Sequence, residues 1–181
     1  MSESRARLFV AADLPDGVRE QLYVWTRSHL TRTPQLRPVG NLHVTLCFLG
    51  WREEAEIEAL ARMTATCVRA AAELSLGGLA WLPPGRPRVV AVDLVDGRGQ
   101  LGALQRTVSH ELEAGAGYEP ERRPFRPHVT VARVRSGARL PPRTRPRPPP
   151  LPSARFRAGA LTLHRSRRGA GYEAVARVQL P

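Results

Sequence analysis

Two short segments 85 positions apart, Leu42-His43-Val44-Thr45-Leu46 and Pro127-His128-Val129-Thr130-Val131, constrain the fold of this chain more than any other feature. Each closes a strand, helix, strand pattern. In the first half the apolar run Arg7 to Ala11 stops at the turn signal Asp13-Leu14-Pro15-Asp16-Gly17, and a helix is expected over 16–30 with Val18, Leu22 and Trp25 at helical spacing. In the second half the β-branched run Arg88 to Leu94 precedes a helix with Leu101, Leu104, Val108 and Leu112 on one face, and a strand follows over 125–134. Such a repeat predicts an α+β fold: one domain of two pseudo-symmetric lobes, approximately 5–82 and 86–181, facing each other.

The remaining segments fill in the lobes. A helix is expected over 52–74, because Glu53, Glu54, Glu56 and Glu58 favour a helix N-terminus while Ile57, Leu60, Thr64, Cys67, Val68 and Ala71 share one face. Strands are expected over 74–82 and, as a hairpin, over 155–164 and 171–180 around the turn Arg165 to Gly171. Residues 141–152 hold seven prolines and three arginines, which can neither build a ladder nor continue a helix. They read as an extended surface loop.

Side chains alternate along a strand, so the His and Thr of each segment share a face. A lone histidine in a sheet is most often a hydrogen-bonded core residue. Two on equivalent strands of duplicated lobes are different: packed about a local two-fold, they meet at one cleft. Hydrolysis of a phosphodiester needs a base for the water, an acid for the leaving oxygen and donors around the phosphoryl oxygens. Imidazole can act as either acid or base near neutral pH, and the hydroxyls of Thr45 and Thr130 can hold the non-bridging oxygens. No metal or other cofactor is called for, since Asp13, Asp16, Asp93 and Asp96 are scattered and none lies beside a histidine segment to complete a metal shell. His110 and His164 have no threonine two positions on, and His29, which has Thr31 there, ends the expected first helix rather than opening a strand; all three read as helix-end or surface residues.

Charge narrows the partner. The chain has 28 basic residues, every one arginine, against 16 acidic, a net charge of +12. Polyanions are the first partners to consider, and the planar guanidinium suits phosphate and flat rings, although a lysine-free chain can equally reflect genomic base composition. No apolar run approaches the roughly 20 residues of a membrane span, and the run ending at Asp13 is short for a signal peptide, so a cytoplasmic protein with no membrane contact is expected. Cys47 and Cys67 fall within apolar patterns and read as core.

The paired motifs His43-Val44-Thr45-Leu46 and His128-Val129-Thr130-Val131 resemble those of the two-histidine (2H) phosphoesterase superfamily. Arg7-Leu8-Phe9-Val10-Ala11, the run Asn41 to Gly50, the run Arg123 to Arg133 and Leu161-Thr162-Leu163-His164-Arg165-Ser166 look like the RNA 2′,3′-cyclic phosphodiesterases, the LigT-like group. The resemblance implies a bilobal 2H-phosphoesterase fold, with antiparallel sheets flanking a central cleft and helices outside. It implies opening of a terminal 2′,3′-cyclic phosphate to a 2′-phosphate, and a related capacity to join tRNA halves by a 2′-5′ linkage. By it His43 is the proton donor and His128 the proton acceptor; the residue pattern alone is nearly symmetric and leaves that order open.

Phe48 and Arg133 each lie five residues after their histidine, and the resemblance places an aromatic and a cation around the terminal nucleotide, with Arg126 as a further substrate contact. Strict alternation turns position five away from the histidine, so either the strand bends there or Phe48 is core. Cys47 stands where the group commonly has a basic residue. Arg143, Arg145 and Arg147 either reach RNA from a flap or belong to a solvated basic loop. A monomer acting on RNA ends such as tRNA fragments is expected. The alternatives are a 2H enzyme for a small cyclic phosphate or a 2′-5′ oligonucleotide, and a non-catalytic basic RNA-binding protein.

Overall fold

The computed structural model describes residues 4–167 and 171–181. The first unit is a strand β1 (Arg5–Asp13), helix α1 (Asp16–Leu30), a short strand β2 (Leu36–Pro38) and strand β3 (His43–Glu53). A 3-10 turn (Glu54–Glu56) leads into helix α2 (Ile57–Thr66) and strand β4 (Glu73–Leu82). Strand β5 (Val89–Val95), helix α3 (Gln100–Ala116) and strand β6 (His128–Val134) repeat the first unit. Strands β7 (Arg155–Arg157), β8 (Ala160–Arg167) and β9 (Gly171–Gln179) end the chain.

All these strands join one antiparallel sheet in the order β7-β4-β5-β6-β3-β1-β8-β9, with β2 added beside β6. Its midpoint is the contact between β3 and β6, where Val44 faces Val129. From there the order reads the same in both directions: β1 flanks β3 as β5 flanks β6, and β8 lies beyond β1 as β4 lies beyond β5. The sequence halves 5–82 and 86–181 therefore exchange strands, β4 pairing with β5 and β8 with β1. Only Ala158 and Gly159 separate β7 from β8, although these two lie near opposite ends of the strand order. A link that short forces the sheet to curl until its arms nearly meet. The result is a half-barrel.

One face of the sheet is covered. Leu8, Val10, Val44, Val90, Val129 and Leu161 are buried there together with Leu22 and Leu30 of α1, Leu60 of α2, and Leu101, Leu104 and Leu112 of α3. The helices cross over: α1 packs on β2 and β6, and α3 packs on β3. Each lobe's helix thus clamps the other lobe's histidine strand.

Two expected elements change. The helix expected over 52–74 begins later, because β3 runs on to Glu53, and ends at Thr66. The acidic cluster still caps it: Glu53 and Glu56 form a reciprocal capping box, with the Glu53 amide donating to Glu56 Oε2 at 2.8 Å. At the other end Thr64, Thr66 and Cys67 turn their side chains onto the carbonyls of Leu60 and Met63, a competing pattern that weakens helix continuation. The Ala71 amide then donates to Pro181 and the Ala72 carbonyl accepts from Ala158, so this backbone is spoken for outside any helix. The strand expected over 155–164 is two strands, because β7 pairs with β4 and β8 with β1. Residues 168–170 of the expected hairpin turn lie outside the described residues.

The proline-rich stretch 141–152 lies along the surface with one 3-10 turn at Pro142–Thr144. It is tied down. Arg145 donates to the carbonyls of Leu140 and Pro84 and lies 5.5 Å from the Trp81 ring centre, and Trp25 Nε1 donates to the Pro150 carbonyl. Arg145 is thereby committed to structure, whereas Arg143 and Arg147 stay exposed.

Candidate active site

The uncovered face of the sheet forms a cleft of about 480 Å³ that His43, Thr45, Phe48, His128, Thr130 and Arg133 all line. Since Val44 faces Val129 in antiparallel register, His43 lies across from Thr130 and Thr45 across from His128. The two histidines are then diagonal neighbours, at a spacing of about 7–8 Å that is somewhat less between Cβ atoms.

Both rings are held alike. His43 Nδ1 lies 2.9 Å from the Asn41 carbonyl, and His128 Nδ1 lies 2.8 Å from the Arg126 carbonyl. A carbonyl only accepts, so each Nδ1 carries its hydrogen and each Nε2 is left free for the cleft. Behind each histidine, in the neighbouring strand, is a carboxylate: Asp13 faces His43 and Asp93 faces His128.

Position five reaches the cleft because both strands carry the same bulge. In β3, Thr45 faces Ala11 while Cys47 faces Val10, which leaves Leu46 as an extra residue. In β6, Thr130 faces Ala91 while Ala132 faces Val90, which leaves Val131 extra. One inserted residue reverses the alternation beyond it. Phe48 and Arg133 therefore return to the face of the histidines, and Phe48 is 53% exposed rather than core. The apolar spacing Val44, Leu46, Cys47, Leu49 already carries this break.

Arg126 is placed differently. Its guanidinium makes a two-pronged ion pair with Asp93, at 2.9 and 2.7 Å, on the wall of a neighbouring cavity of about 770 Å³ that also touches Thr45, Phe48 and His128. Arg133 stays on the histidine cleft, where it donates to the Tyr172 hydroxyl at 3.0 Å.

The lobes differ in what surrounds each histidine. Phe9 stacks on His43 and on His164, each at 5.0 Å, and the Tyr172 ring meets His43 edge-on at 5.3 Å. At the corresponding points around His128 stand Val89 and its partner Leu82. His164, expected at the surface, is instead largely covered, with neither ring nitrogen hydrogen-bonded and Nε2 at 3.7 Å from Asp13. Burial, joined by the nearby His164 and Arg133, pushes the His43 imidazole down to about 4, against the opposing pull of the Asn41 carbonyl and Asp13. Burial raises the Asp13 carboxyl, but the nearby His164 imidazole and the hydrogen bonds from Arg177 and Thr162 outweigh it and hold Asp13 below its ordinary range.

Sequence reasoning missed Phe9, Tyr172 and the burial of His164. Phe9 alternates with Arg7 and could be placed on a face, but nothing local shows that β8 returns beside β1 with β9 beyond it. Among the described residues no group of three His, Cys, Asp or Glu side chains converges as a metal shell would.

A family model described as the 2′-5′ RNA ligase superfamily matches residues 14–170, a span that contains both histidine strands. The chain belongs to this superfamily. A relative from Escherichia coli K12, named RNA 2′,3′-cyclic phosphodiesterase, is 36% identical over 140 residues, 74% of each chain. A relative of the same name from Aeropyrum pernix is 35% identical over 96 residues, 52% of this chain and about half (54%) of that protein. The crystal structure of E. coli LigT complexed with 3′-AMP superposes with a TM-score of 0.75 at 28% identity, covering 98% of this chain and 99% of that one. The resemblance to two-histidine phosphoesterases holds, and the α+β fold of the superfamily is the one described above. The superfamily match begins after β1 and stops short of Tyr172, so the aromatic wall beside His43 lies largely outside it.

Proposed function

We propose that this protein opens the 2′,3′-cyclic phosphate at the end of an RNA to leave a 2′-phosphomonoester. The observation that carries the reading is the interlocked register of the two motifs, which sets two free Nε2 atoms and two threonine hydroxyls around one point. The names of the curated relatives support it, and so does the LigT structure with a nucleotide.

In the step, a water oxygen attacks phosphorus while the bond from phosphorus to O3′ breaks. One histidine takes the water proton on Nε2 and the other gives its Nε2 proton to O3′. Thr45 and Thr130 donate to the non-bridging oxygens, where charge gathers in the transition state. A 5′-hydroxyl in place of the water gives a 2′-5′ linkage by the same step. Phe48 offers its exposed ring to the terminal base, with Arg126 and Arg133 as the nearby cations. The protein works as a cytoplasmic monomer on RNA ends, tRNA fragments among them, with no metal or other cofactor.

The family resemblance makes His43 the donor and His128 the acceptor. One observation favours the reverse: an imidazole held near 4 is neutral at pH 7, with a lone pair to accept and no proton to give. For His43 to donate, the bound phosphodiester anion must raise its affinity for a proton. A substrate with sulfur at the 3′ position of the cyclic phosphate separates the two orders, because a leaving thiolate needs no proton. Turnover of this substrate is expected to survive in whichever of H43A and H128A has lost the acid, and to fail in the one that has lost the base. If neither variant is rescued, the acid-base division of labour is wrong.

A further inference from the structure

The cleft continues past the histidines along β3 and ends at Trp51. That side chain is 53% exposed, as is Phe48, three residues before it on the same strand. Three residues would normally reverse the face. A second bulge prevents this: Phe48 faces Phe9 and Gly50 faces Leu8, so Leu49 is the extra residue, and Gly50 takes a φ of 73° that a side chain would resist. Trp51 is thus brought back to the cleft, opposite Arg7 in the neighbouring strand.

An indole half in water gains nothing for the core. Beside it, the Arg7 guanidinium is exposed and makes no hydrogen bond or ion pair with the described residues. Arg133 lies on the same cleft with a hydroxyl, not a carboxylate, as its partner. The neighbouring cavity, by contrast, sets Glu113 and Glu121 against Arg106 and Arg123 and has its Arg126 neutralised by Asp93, whereas no carboxylate is among the described residues that line the cleft on the Trp51 side. Phosphates of an RNA leading away from the histidines are therefore better received on the Trp51 side. Allowing for the bulge, Trp51 lies about two strand steps, or about 7 Å, beyond Phe48. That is the reach of one more nucleotide.

We propose that Trp51 and Arg7 form a subsite for the nucleotide next to the terminal one, its base stacked on the indole and its phosphate on Arg7. The inference rests on the cyclic-phosphate reading above and deepens it: the preferred substrate is single-stranded RNA of at least two nucleotides, with little dependence on which base occupies this subsite, because every base has a flat face to stack.

The test is the ratio of kcat/KM for a trinucleotide ending in a 2′,3′-cyclic phosphate to that for a mononucleoside 2′,3′-cyclic phosphate. The native protein is expected to favour the trinucleotide, and W51A to reduce that ratio by about tenfold, within the range of one base-aromatic stack. W51F retains most of the preference, and R7Q lowers the ratio while weakening its salt dependence. Turnover of both substrates with the same ratio in the native protein and W51A overturns the subsite alone. Absence of turnover on both substrates overturns the phosphodiesterase reading and the subsite with it.

Discussion

Replacing His128 with alanine is expected to lower kcat for a cyclic-phosphate RNA end by about 10²- to 10⁴-fold, and replacing His43 to do the same. Each ring meets the cleft through a free Nε2, and among the described residues no third imidazole lines the cleft to take over its proton. The loss should fall on kcat more than on KM, because Thr45, Thr130, Phe48 and Arg133 remain to bind the substrate. Both histidines begin their strands on the uncovered face, so the variants keep the core beneath, and thermal midpoints near that of the native protein would show it. The double variant should lose little more than the worse single one, since the two protons move in one step. Independent, multiplying losses would mean that the rings do not act on the same phosphorus.

The second large effect concerns stability in acid. His43 has a proton affinity near 4 in the folded protein against an ordinary 6.5. Between these values the unfolded chain holds a proton that the folded one does not, so stability rises with pH through this window and falls as the pH drops from 6.5 towards 4. The full difference amounts to on the order of 3 kcal/mol, a large share of a small domain's stability. Asp13 is held below its ordinary 3.8, so its own acid loss begins lower and does not overlap the window. Denaturant unfolding at about pH 7 and about pH 4.5 measures the effect, and the variant H43F is expected to lose much less stability between the two than the native protein. Equal losses would show that burial beside His164 and Phe9 does not set the basicity of His43.

The bearing of His164 on this site was not legible in the sequence. His164 reaches His43 only because β8 pairs with β1 across more than 150 residues, and no local pattern announces that pairing. Tyr172 enters the site by the same route, through β9. What was legible depended on short-range physics. The two His-x-Thr segments, the faces of α1 and α3, and the duplication they imply follow from spacing alone, and they define the centre of the site. The position of Phe48 was half legible: adjacent apolar residues at Leu46 and Cys47, echoed by Val131 and Ala132, are the trace of a bulge. The helix expected to 74 failed at Thr66 because the helical stripe continues through Cys67, Val68 and Ala71, while hydrogen bonds to the distant C-terminal strands claim the backbone.

In the proposed reaction the two imidazoles act on one phosphorus with O3′ as the leaving oxygen, and the product records which bond breaks. Phosphorus NMR of a short RNA bearing a 2′,3′-cyclic phosphate, incubated with the native protein in EDTA, is the most direct measurement. The expected result is a single 2′-phosphomonoester, formed at the rate seen without chelator and not formed by H43A or H128A. A 3′-phosphomonoester, a rate that collapses in EDTA, or full turnover by either variant would contradict it.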